Sequence, residues 1–193
     1  MTSGVNAIEG GQSPLAYIVD QRHAAAQAAH VDPVTRLYWA YFQRTPDPNG
    51  QAYWVRKRQA GTTLIKVSNH FAGSSEFKAK YGSLTNRAFV ELVYQNVLGR
   101  SGDAGGITYW SGQLDARKKS RGQVMLNFSE SNEFKTKSAN RVDIINLWIS
   151  MLRKAPTTSE LNAALATMTG GQPLTTIVDE ILRSSTYAAR VGG

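Results

Sequence analysis

The chain predicts an all-α fold: two tandem helical repeats and a degenerate third, packed as one helical array. Three observations carry that prediction. The stretch Leu37 to Trp54, LYWAYFQRTPDPNGQAYW, returns as Leu92 to Trp110, LVYQNVLGRSGDAGGITYW. Apolar residues in both copies recur at helical spacing, and no segment alternates with period two between hairpin turns. The pairs Tyr38/Tyr94, Arg44/Arg100, Asp47/Asp103, Gly50/Gly106, Tyr53/Tyr109 and Trp54/Trp110 all share the 56-residue offset of Tyr94 from Tyr38. Phe71/Phe128, Ser74/Ser131, Glu76/Glu133 and Phe77/Phe134 follow at an offset of 57, so a single residue is inserted between the two blocks. A whole ordered series of elements therefore recurs.

The elements follow from local signals. Residues 1–12 are rich in Gly, Ser and Asn and read as a lead-in. Ser13-Pro14 then supplies an N-cap and a proline at the first helical position, opening an Ala-rich helix over 13–31 that is expected on the outside of the repeats. Asp32-Pro33 repeats the start signal for repeat 1 (32–84), whose Val34, Leu37, Tyr38, Tyr41 and Phe42 form one helical face. Pro46 and Pro48 stop that helix, and Asp47 or Asn49 can cap the next, which carries Tyr53 and Trp54 and ends at Gly61. Thr62 or Thr63 caps a third helix bearing Leu64, Val67 and Phe71, and Ser74 opens a short fourth ending near Gly82.

Repeat 2 (85–140) copies the plan with Thr85, Gly99, Asp103, Ser120 and Ser131 as its punctuation. The degenerate repeat 3 (141–193) aligns Trp148 with Tyr94 and Tyr187 with Phe134, and Thr157 with Glu160 forms a capping box. Its Asp, Gly and Tyr-Trp signature is missing, which suits a terminal cap of a repeat array.

Length and composition bound the function. A chain of 193 residues, 41% hydrophobic and 19% charged, folds and is not disordered. Its net charge of +8 permits anionic partners without identifying one. With no cysteine, disulfide and thiolate chemistry are excluded. The N-terminus lacks the basic and apolar regions of a signal peptide, and no run of about 18 apolar residues occurs, so no membrane span is expected. Export would then require a removed signal, another route or a longer parent protein.

Candidate chemistry is sparse. His23, His30 and His70 have no Asp, Glu or Cys at metal-ligand spacing, although His23 and His30 would share a helix face. The loops at Asp47 and Asp103 each offer one carboxylate where a hard cation wants six to eight oxygens, so neither a metal nor a cofactor is expected. Nucleophile elbows, phosphate loops and dinucleotide fingerprints are absent. Arg44 with Asp47, and Arg100 with Asp103, read as structural pairs, the guanidinium bonding turn carbonyls or the aspartate; the functional reading is an anion or sugar-hydroxyl clamp. Adjacent residues on a helix diverge by about 100°. One ring of Tyr53-Trp54, and of Tyr109-Trp110, can therefore enter the core while the other points elsewhere as a stacking platform. Basic clusters at Arg56-Lys57-Arg58 and at Arg117-Lys118-Lys119 with Arg121 read as solvated helix ends, and no nucleic-acid motif accompanies them.

The repeat, with its closing FAGSSEF and FSESNEF strings, resembles a bacterial helical repeat family, domain of unknown function forty-two fourteen, over roughly Val34 to Lys137. That family's pattern runs Leu-Tyr, Leu-Gly-Arg, Pro-Asp, Gly, Tyr-Trp, Phe and Ser-x-Glu-Phe, and it is similar in pattern to phycobilisome linker domains. The resemblance implies a piece of a secreted or surface protein and brings no catalytic residues. The expectation is a non-catalytic interaction or adhesion module, extracellular or at the cell surface, holding a glycan, an anionic surface polymer or another protein. Arg44, Asp47, Tyr53, Trp54, Arg100, Asp103, Tyr109 and Trp110 are its candidate contacts. The alternative is a structural assembly subunit that binds other copies. An enzyme reading would need carboxylates gathered in a cleft, for instance around Glu76 and Glu133.

Overall fold

A computed structural model describes residues 11–192, and among these twelve α-helices and no strand are present. We number them α1 (Pro14–Arg22), α2 (Asp32–Phe42), α3 (Pro48–Gln59), α4 (Leu64–Gly73), α5 (Ser75–Tyr81), α6 (Asn86–Val93), α7 (Ala104–Asp115), α8 (Arg121–Ser129), α9 (Asn132–Leu152), α10 (Thr158–Thr169), α11 (Leu174–Arg183) and α12 (Ser185–Val191). Two compact units result. Residues 33–139 hold the first two copies, and residues 11–32 with 140–192 hold α1 and the third copy. Apart from Gly11 and Gln12, the expected lead-in lies outside the described residues.

The three copies share one set of backbone punctuation. After its first helix each copy enters the left-handed region at an equivalent residue: Gln43 (φ 51°), Gly99 (φ 63°) and Arg153 (φ 56°). Such a conformation costs a non-glycine residue about 1 kcal/mol. Gln43 offsets the cost by donating its side-chain amide to the Trp39 and Ala40 carbonyls of the helix end. The second helix of each copy is capped by Asp47, Asp103 or Thr157, whose side chain accepts from the backbone N–H three residues on. It ends in a left-handed residue at Gly61, Arg117 or Gly171. There the next N–H closes back onto Lys57, Gln113 or Thr167 respectively. The last joint has no linking residue beyond its serine. Ser74, Ser131 and Ser184 each accept from an N–H three residues on, at 3.1 Å, and donate back to the carbonyl of Phe71, Phe128 or Ile181. The third copy, eroded as sequence, is thus complete as backbone.

Within residues 33–139 the core is aromatic and continuous across the two copies. Tyr41, fully buried, donates to Ser68 O, and the Ser68 hydroxyl in turn donates to Gly122 O at 2.8 Å. Helices α4 and α8 meet at Gly122, where a Cβ would lie 2.4 Å from Asn69 Oδ1. Arg36 grips Glu130 through two 2.8 Å bonds, tying the first helix of one copy to the third helix of the next. Arg121 is a correction to the solvated-face reading. Its guanidinium donates to the Tyr81 and Leu84 carbonyls and lies 4.7 Å over the Phe89 ring, so it locks the joint between copies.

The N-terminal segment also departs from expectation. The helix predicted over 13–31 ends at Arg22, and His23 is its C-cap, so His23 and His30 do not share a helix face. The chain then re-enters helix through a π-turn, Gln27–Val31, that runs directly into α2. Asp32-Pro33 is therefore not a start: Asp32 has helical backbone, and its carboxylate bonds Arg22 at 2.7 Å and Asn146 at 3.0 Å. Proline inside a helix removes a hydrogen bond and crowds the carbonyl four residues back, and the wider π-turn ahead of it relieves that crowding. Helix α1 packs on α11 of the third copy, and its Arg22, only 5% exposed, also pairs with Asp143 at 2.9 Å. Arg22 is the one buried residue of this helix, whose other residues are half-buried or exposed.

Arg117 carries a left-handed backbone where both sister copies have glycine. Arg117→Gly should therefore raise unfolding free energy by about 0.5–1 kcal/mol in urea titration; a loss of stability would show that the arginine side chain itself holds the turn.

Candidate functional site

The signature residues come together once per copy, at the corner between the first and second helices. Asp47 accepts from Gly50 N at 2.7 Å, and Asp103 from Gly106 N at the same distance, so both aspartates are N-caps. The glycines are required by the tyrosines. A Cβ on Gly50 would stand 2.6 Å from the Tyr38 hydroxyl, and one on Gly106 only 2.2 Å from that of Tyr94. Burial, with the Asp47 carboxylate beside it, pushes Tyr38 up to about 12, so it stays a neutral phenol. Tyr94 moves the same way, first through burial and then through Asp103.

Arg44 and Arg100 do not pair with those aspartates. Arg44 forms two 2.9 Å bonds to Glu76, and Arg100 bonds Glu133 at 2.6 and 2.8 Å. The expected bonds to turn carbonyls are present, to Thr45 O at 3.3 Å and to Ser101 O at 3.2 Å. The guanidiniums lie over Tyr38 and Phe42 in the first copy and over Tyr94 in the second. These bonds hold both glutamates below the usual carboxylate range, each against an opposing desolvation. Glu76 and Glu133 thus sit as separate arginine partners, one in each copy. The recurrence of both Arg and Glu in copies one and two, against Lys154 and Thr186 in copy three, is the signal that could have paired them.

The Tyr-Trp pairs divide as the helix geometry requires. Tyr53 is 46% exposed and Tyr109 54%, while Trp54 and Trp110 are half-buried. In each pair the rings meet edge to face, at 4.9 Å in the first copy and 5.0 Å in the second, and the tryptophan packs 5.7 Å from Phe71 or Phe128. In the second copy a cleft of about 170 Å³ opens beside this pair, lined by Tyr94, Leu98, Arg100, Trp110, Asn127 and Phe128 with Ser131 and Glu133. Asn127 and Phe128 were not among the candidate contacts, because only packing brings a third-helix residue beside a corner. Among the described residues no three His, Asp or Glu gather where they could hold a metal, and no helix is long and apolar enough to cross a membrane.

Residues 68–138 match the family described as Domain of unknown function (DUF4214). The match runs from the middle of α4 to the start of α9, covering the second copy and the end of the first. Comparison with curated proteins and with solved structures returns no match.

Two outcomes follow from the corner geometry. Gly106→Ala should destabilise the fold by about 1–3 kcal/mol in denaturant titration, with Tyr94→Phe in the same chain restoring part of the loss; an unchanged midpoint would sink the contact. Because the glutamates' folded values are lowered, their stabilisation is present above the unfolded value of about 4.5 and is lost as pH falls through the folded one. Glu76→Gln with Glu133→Gln should flatten the stability profile below that value, as read by melting temperature against pH.

Proposed function

We propose that the DUF4214 stretch and the copy before it form a non-catalytic interaction module. Its reading is that of a bacterial secreted or cell-surface protein, holding a glycan-like polymer on the exposed ring faces of Tyr53 and Tyr109. One observation supports this above others. The third copy has the same backbone but places Ala163, also exposed, where the first two place tyrosine. The fold therefore does not need an aromatic ring there, and two large exposed rings are maintained at equivalent positions. Exposed aromatic faces repeated along a scaffold suit a ligand that itself repeats. Arg44 and Arg100, closed onto glutamates, orient the corner in this reading, and Asp47 and Asp103 cap helices.

Affinity electrophoresis in starch, hydroxyethylcellulose and glycol chitin tests the proposal. Retardation by one of these polymers is expected to fall about tenfold or more in affinity for Tyr53→Ala with Tyr109→Ala, with unfolding free energy changed by no more than about 0.5 kcal/mol. Equal retardation of variant and parent would overturn it, and concentration-dependent self-association without any polymer would favour an assembly subunit.

A further inference from the structure

We infer that the cleft of the second copy is a pocket for one neutral hexose unit of such a polymer, and that the first copy, built from the same order of helices, has the equivalent space filled. The inference rests on the glycan reading above and goes beyond it, because it makes the two copies unequal. Two positions differ at the lining. Leu98 and Asn127 of the second copy correspond to Phe42 and His70 of the first. The Phe42 ring lies 5.2 Å from Phe71 and 5.9 Å from Tyr38, and the His70 ring lies 4.8 Å from Trp54. In the second copy neither ring exists, and the helix end that carries the lining residues Tyr94 and Leu98 is a π-turn, Tyr94–Leu98, where the first copy is α-helical.

The lining selects the chemistry of the occupant. About 170 Å³ holds roughly five or six waters at about 30 Å³ each, the room of a single six-membered ring with its hydroxyls. Trp110 and Phe128 give it apolar walls. Asn127 donates its amide N–H to Gln123 O at 2.7 Å, leaving its carbonyl oxygen as an acceptor at the rim. The rim charges cancel: Arg100 and Glu133 are closed on each other through two bonds. An anionic sugar would face Glu133 and Asp103 as well as Arg100 and Lys137, the lysine turned onto Leu98 O at 2.6 Å, so the edge carries no net excess of cation, whereas hydroxyl groups can share the outer lone pairs of Glu133 and the amide oxygen of Asn127.

The test titrates the full chain with maltohexaose, cellohexaose and chitohexaose, and with an alginate hexamer as the anionic counterpart, reading heat and tryptophan fluorescence. Asn127→His, at an exposed position, and the double variant Leu98→Phe with Asn127→His import the first copy's lining residues. One neutral hexamer should bind the parent, and both variants should weaken it at least tenfold without loss of cooperative unfolding. Binding unchanged in both variants but lost in Tyr53→Ala with Tyr109→Ala would overturn the pocket and leave the platform reading standing. Tighter binding of alginate than of any neutral hexamer would overturn the neutral assignment, and no response to any neutral hexamer would overturn both readings.

Discussion

The first two copies depend on one steric constraint: a tyrosine hydroxyl that rests on the first turn of the following helix and leaves no space for a Cβ there. Tyr38 over Gly50 and Tyr94 over Gly106 fix how closely two helices approach at the corner. Around that contact the other signature residues acquire their places. The aspartate satisfies the N–H of the same glycine, and the arginine lies over the same tyrosine ring and reaches the glutamate that starts the copy's last helix. The second and last helices of a copy are thereby oriented from one point, and the Tyr-Trp pair, one turn further along, is presented at a set angle.

Much of the fold was legible because its stop and start signals are local. Ser13, Asp47, Ser74, Thr85, Asp103, Ser120 and Thr157 each accept from an N–H within three residues, so short-range sequence suffices to find them. Asp32 has the same residue type ahead of a proline and yet has helical backbone. Its carboxylate belongs to Arg22 and Asn146, and no local pattern announces partners ten and 114 residues away. Left-handed backbone at Gln43, Arg117 and Arg153 was equally hidden, because glycine marks the equivalent position in other copies only.

The candidate site was half legible. Spacing along a helix foretold that one ring of each Tyr-Trp pair would point away from the core, and Tyr53 and Tyr109 do so. The arginine partner was not foretold, since Glu76 and Glu133 reach Arg44 and Arg100 only once the last helix folds back. Nor could spacing reveal the cleft lined by Leu98 and Asn127, where the first copy has Phe42 and His70. Cavities arise from what packing omits, and a linear pattern records only what is present.

The serine joints and the second turn of each copy differ in how much slack they hold. From Ser74 to Phe77, Ser131 to Phe134 and Ser184 to Tyr187 the count never varies, because one residue both ends a helix and begins the next. Between the left-handed residue and the following cap the count does vary: Gly61 to Thr63, Arg117 to Ser120, Gly171 to Pro173. Duplication within this chain has thus already tried insertion at that turn and kept it. Foreign sequence, whether an affinity tag or a fluorophore-bearing loop, belongs between Lys118 and Lys119, where the molecule has shown that it tolerates extra length.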